Sequence, residues 1–191
     1  MSGATVITMS RDYLLVIGEA AALAWVLAEQ RMAFPALRRS QAMALEVGDE
    51  LLVYTTRGCF HNPGRDVGRV MGLANVTTRV RDLAEPVVFG ERRYTSGCGL
   101  AIQGVAAFRE GVELSPLVTD LHAFPDARTW GIRLRRPLVP LDKHDASVLR
   151  RHLTGRLQPL ERHLNAYLQV AKRRQVQQKG RATASHSIGS V

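Results

Sequence analysis

Apolar positions follow two rhythms along this chain, and the change between them falls near Lys143. Tyr13-Leu14-Leu15-Val16-Ile17 is a short β-prone apolar run closed by Gly18, which predicts a buried first strand. Residues 20–30, rich in alanine and leucine and carrying Trp25 and Glu29, predict a helix that Pro35 stops soon afterwards. A second short helix is expected over residues 37–45. Val47-Gly48-Asp49-Glu50 reads as a turn feeding residues 51–56, the clearest strand in the sequence. After a polar loop over 57–66, a strand resumes over 67–78, with Gly68 and Gly72 marking a bulge or a close backbone approach. Further strands are expected at 86–89, 100–108 and 129–135. Tyr94-Thr95-Ser96-Gly97-Cys98-Gly99 reads as a turn, with hydroxyls lining a pocket as the other reading. Short strands with helices grouped near the start predict an α+β domain over residues 1–141, an antiparallel β-barrel with flanking helices.

The second rhythm is helical. Asp142 is placed to cap its start, and Asp145 favours the first turn of the helix dipole. Leu149, Leu153, Leu157, Leu160, Leu164 and Leu168 recur every three or four positions and keep one face apolar. Gly155 and Pro159 break or kink that stripe. It either packs on the parent domain or forms the seam of a homodimer. Residues 142–174 are therefore read as an amphipathic, basic helical extension, and 175–191 as a disordered tail.

A length of 191 residues with 46% hydrophobic composition is ample for one cored domain. No apolar run approaches the ~20 residues of a membrane span, and the first ten residues lack the pattern of a secretory leader. A cytoplasmic protein without a membrane partner is the expectation. The net charge of +9 changes the picture only once it is divided: residues 150–191 hold nine Lys or Arg and a single acid, Glu161. The body is close to neutral. The basic segment is either a phosphate-attracting tail without sequence preference or a solvated helix face.

Signatures of catalysis are missing. There is no phosphate-cradling glycine loop followed by Lys and Ser/Thr, no dinucleotide fingerprint and no Gly-x-Ser-x-Gly elbow. His144, His152 and His163 fall on the C-terminal helices and His186 in the tail, while His122 stands alone near Phe124-Pro125. Cys59 and Cys98 are expected to be free thiols. Cys59-Phe60-His61 offers neither a complete nucleophile pair nor more than half of a zinc site. The reading is a binding module, not an enzyme, with no cofactor and no metal.

The order of features resembles the EVE domain, a PUA-like fold related to YTH and ASCH domains. The residues that carry the resemblance are the strand at 13–17, Arg31-Met32-Ala33-Phe34 through Arg38-Arg39 read as a helical region, Val47-Gly48-Asp49 leading into the strand ending at Tyr54, and Val70-Met71-Gly72-Leu73-Ala74-Asn75-Val76. It extends loosely to Arg133-Leu134-Arg135-Arg136-Pro137-Leu138, where a barrel strand would close, and not beyond Lys143. Where EVE members carry a tryptophan with an arginine and an asparagine before the arginine-bearing helix, this chain has Arg31-Met32-Ala33-Phe34. The resemblance implies a pocket for one nucleobase, plain or modified, from DNA or RNA. The stacking residues it implies are Trp25, Phe34, Tyr54 and Trp130, although core packing is the favoured role for both tryptophans. Arg31, Arg38, Arg39 and Arg57 are implied for phosphate or a base edge, and Thr55 and Thr56 as polar readers. The alternative is a barrel that binds a small metabolite and dimerises through its C-terminal helix.

Overall fold

The structure is a computed structural model that describes residues 10–62 and 64–186, with side chains described through Arg173. Among the described residues, eight strands form one curled, half-barrel sheet: β1 (Asp12–Ile17), β2 (Arg31–Phe34), β3 (Glu50–Thr55), β4 (Arg69–Val76), β5 (Arg81–Phe89), β6 (Arg92–Val105), β7 (Val112–Glu113) and β8 (Leu138–Leu141). The path across it is β2-β6-β4-β3-β1-β8, with β5 on β6 and β7 on β4. The expected α+β fold is present. Its sheet is mixed, because β1 and β3 run parallel while the other pairs are antiparallel.

Both faces of β1 and β3 are buried, which explains their unbroken apolar runs. Tyr13, Leu15, Ile17, Leu51 and Val53 enter one core; Leu14, Leu52 and Tyr54, alternating with them, enter the other. Helices α1 (Ala20–Glu29) and α4 (Leu160–His186) cover the first core. The second is covered by α3 (Lys143–Thr154) and by 3-10 turns at Ser115–Asp120 and Trp130–Arg135.

The leucine stripe is divided between these cores. Leu149 and Leu153 are buried in the second and Leu160 in the first, with Leu164 and Leu168 packed beside it. Between them the chain turns past the sheet, and Gln158 exchanges two backbone hydrogen bonds with Val105, at 3.0 and 3.1 Å. Helix α4 runs on through His186, beyond the expected helix end at Arg174; residues 187–191 of the expected tail lie outside the described residues.

Local chemistry accounts for several elements. Asp142 caps α3, its Oδ1 accepting from the Asp145 amide at 2.8 Å. Arg150 of α3 clamps the starts of the two parallel strands, donating to Asp12 Oδ1 at 3.1 Å and to Glu50. The Gly-Asp turn before β3 is a tie: Gly48 adopts φ +93°, and buried Asp49 accepts from the amides of Arg11 and Glu46, both at 2.9 Å.

Four expectations are corrected. Residues 31–34 form strand β2 and not the start of a helix, because Gln30 takes the left-handed conformation (φ 47°) that ends α1 and turns the chain. The supposed turn at 94–99 lies inside β6, where small residues let two strands flank a third. Gly97 pairs with Ala33 on one side and Arg81 on the other, and a Cβ there would stand 2.5 Å from the Met32 carbonyl. Residues Trp130–Arg135 form a 3-10 turn, and the strand that follows is β8. The short helix expected over 37–45 is a 3-10 turn, Ala36–Arg38, continued by α2 (Arg39–Ala42).

Candidate functional site

A concavity opens where β1 ends and α1 begins. It is a cleft of about 620 Å3, walled by Val16 to Glu19, by Ala22 and Val26 of α1, and by Met32, Ala33 and Pro35 around β2. The tip of the β5–β6 hairpin supplies Phe89, Arg92, Arg93 and Tyr94, and the segment into β8 supplies Leu134, Arg135, Arg136 and Pro137. Arg38 and Thr56 complete the lining. That volume lies within the range of about 300–1,000 Å3 typical of ligand sites.

Its chemistry is uneven. The interior wall is aliphatic, while the lining carries five arginines (Arg38, Arg92, Arg93, Arg135, Arg136) against one acid, Glu19. Arg92 reaches Glu19 at 3.9 Å; the other four make no ion pair among the described residues. Phe89 and Tyr94 meet edge to face at 5.5 Å, and Trp25 stands behind them, its ring 6.0 Å from Phe89. Partial burial, then Glu19, raises the phenol of Tyr94 above its ordinary value against the opposing pull of Arg92. At neutral pH it is a hydrogen-bond donor.

Of the ten residues named from the sequence, Arg38 and Thr56 line this cleft. Trp25 is half-buried in α1 as the second row of the aromatic wall. Phe34 is fully buried in the first core. Tyr54 is buried in the second, its hydroxyl fitted over Gly68, where a Cβ would lie 1.9 Å from it; burial pushes this phenol up to about 12. Thr55 is buried and donates to the Arg69 carbonyl at 3.4 Å, beside a separate cavity of about 30 Å3, room for a single water. Trp130 packs edge-on against Phe124 at 5.9 Å in the second core. Arg39 pairs with Asp82 at 3.1 Å, and Arg31 and Arg57 are exposed outside the cleft lining. Sequence reasoning missed Phe89, Arg92, Arg93, Arg135 and Arg136, and reached Tyr94 only through the alternative reading of 94–99 as pocket-lining hydroxyls. The paired Arg92-Arg93 and Arg135-Arg136 were the available signal.

The thiols stand apart from this chemistry. Cys59 is fully buried, and burial drives its thiol well above the ordinary range; Cys98 is pushed up to about 12 by the same cause. Neither supplies a thiolate at neutral pH. An aromatic disulfide reagent is therefore expected to titrate no thiol in the native protein and two after denaturation; rapid reaction of Cys59 in the native state would contradict this placement. No helix among the described residues is long and apolar enough to cross a membrane.

No family model matches the chain, and no curated protein matches it in sequence. Solved structures do match its fold. The chain is similar to protein Rpa0253 of Rhodopseudomonas palustris at 13% identity, over 75% of this chain and 93% of that one, with a TM-score of 0.50. It is also similar to human THYN1 in complex with DNA containing 5-methylcytosine: 12% identity, 73% and 95% coverage, TM-score 0.47. A third is the YTH domain of the Zygosaccharomyces rouxii MRB1 protein in complex with N6-methyladenosine RNA, at 14% identity, 60% and 68% coverage, TM-score 0.43. These are likenesses of fold.

Proposed function

We propose that the protein is a non-enzymatic nucleic-acid-binding module that takes one unstacked base into the cleft between β1, α1 and the β5–β6 hairpin. The observation that carries this reading is the lining itself, five arginines and an aromatic pair around an aliphatic interior. A base has a π-face to lay on Phe89 or Tyr94 and a polar edge for the Tyr94 hydroxyl and Thr56. In this reading Arg38, Arg93, Arg135 and Arg136, all in the cleft lining, hold the flanking phosphates. A free nucleotide is the competing occupant, since the cleft is of small-ligand size.

The test is fluorescence anisotropy of the full chain with plain and base-methylated DNA and RNA oligonucleotides over a salt series. Affinity is expected to fall as salt rises. The slope is expected to be shallower in Arg135→Ala and Arg136→Ala, by about one unit for each phosphate that the missing guanidinium had neutralised. Tyr94→Ala is expected to weaken binding about 5–150-fold, as removal of one stacking partner does. Unchanged binding in all three variants would assign the affinity to the basic C-terminal segment and reject the cleft. Tighter binding of a mononucleotide than of any oligonucleotide would favour the metabolite reading.

A further inference from the structure

A second constellation lies away from the cleft, where the stretch after the Ser115–Asp120 turn meets the first turn of α3. His122 Nδ1 stands 2.7 Å from Asp142 Oδ2 and 4.0 Å from Asp145 Oδ1. One ligating atom from each of the three residues lies within 4.8 Å of the others, and none of the three lines the cleft. We propose that His122, Asp142 and Asp145 bind a divalent transition-metal ion of the zinc type.

Three observations favour this. The first is size: bonds of about 2.0–2.2 Å from zinc to nitrogen and oxygen fit donors gathered this closely, with a small opening of the His122–Asp142 contact. The second is orientation, because each carboxylate is already held by backbone. Asp145 Oδ1 and Oδ2 accept from the amides of His122 and Ala123, at 2.8 and 2.7 Å. Asp142 Oδ1 accepts from the Asp145 amide, which leaves Oδ2 turned to the imidazole. Hydrogen-bonded carboxylates of this kind are what orient metal ligands. His144 adds to the order, stacking on His122 at 4.6 Å while its Nε2 meets the Asp120 carbonyl at 3.0 Å.

The third is charge and access. Two carboxylates and a neutral imidazole match a dication, and the His122 and Asp142 side chains are 67% and 51% exposed, leaving room for water in the remaining positions. An imidazole in the donor set selects zinc, nickel or cobalt over calcium or magnesium. The ion would pin the 121–124 stretch to the start of α3.

Titration calorimetry of Zn2+ into the untagged full-length protein tests the site. One ion per chain is expected, with affinity reduced about tenfold or more in His122→Ala. His152→Ala, at an exposed position of α3 outside the cluster, is expected to bind as wild type does. His122 is exposed, so its variant is expected to fold, and circular dichroism verifies that. Zinc is also expected to raise the melting temperature of the wild type and not of His122→Ala. Absence of binding, equal binding in His122→Ala, equal loss in both histidine variants, or displacement by stoichiometric calcium would each overturn the proposal.

Discussion

Phe34→Ala is expected to lower the stability of the domain by about 3–5 kcal/mol, the usual range for truncating a fully buried phenylalanine. Phe34 has no exposed surface, and it sits in β2 against β6, in the core that α1 and α4 cover. The ring is therefore a packing group whose loss leaves a cavity beneath Met32 and Ala33, the two β2 residues in the cleft wall. Urea denaturation followed by circular dichroism reads the effect directly, and Phe34→Leu is expected to recover much of it. A residue that stacked a ligand from the surface would behave in the opposite way, losing binding with stability intact. A stability loss under about 1 kcal/mol would show that the ring is not part of the core.

Asp145→Ala is expected to have the second-largest effect, about 2–5 kcal/mol. The carboxylate is completely buried and accepts from the amides of His122 and Ala123. Its removal leaves two part-buried amide donors without their acceptor, at about 1–3 kcal/mol each where water does not replace it. Asp145→Asn keeps one acceptor and is expected to lose roughly half as much. Asp142→Ala, which removes the helix cap, is expected to lose about 1 kcal/mol. The order Asp145→Ala, Asp145→Asn, Asp142→Ala in denaturation free energy is the check; an Asp142 effect larger than that of Asp145 would contradict this assignment.

The parts of the fold legible in the sequence are those where local pattern and burial agree. Strands β1 and β3 show as continuous apolar runs because both their faces meet a core, and α3 announces itself through the Asp142 cap. The misread parts are those decided by neighbours distant in sequence. Ser96, Gly97 and Cys98 have turn-like composition, yet they are strand because β2 and β5 need a close approach on either side. Arg31-Met32-Ala33-Phe34 has no strand signature of its own, and becomes one only when β6 pairs with it. The site followed the same rule. Most of the expected residues came from positions 25–57, where the EVE resemblance is concentrated, and there Arg38 and Thr56 line the cleft. The rest of its charge and its aromatic pair come from the β5–β6 hairpin and from residues 134–137, which only the folded sheet brings opposite α1. His122 looked solitary for the same reason, its carboxylate neighbours lying twenty and more positions further along.

The place of β1 in the sheet bears on how the chain must fold. Residues Asp12–Ile17 hydrogen-bond to β3 on one side and to Leu138–Leu141 on the other. During synthesis, then, β1 keeps an open edge until residues 138–141 have left the ribosome. Long-range closures of this kind slow folding, and they leave an apolar strand edge available to wrong partners in the meantime. Tyr13-Leu14-Leu15-Val16-Ile17, an apolar run plainly written in the sequence, is thus open to misassociation until β8 arrives.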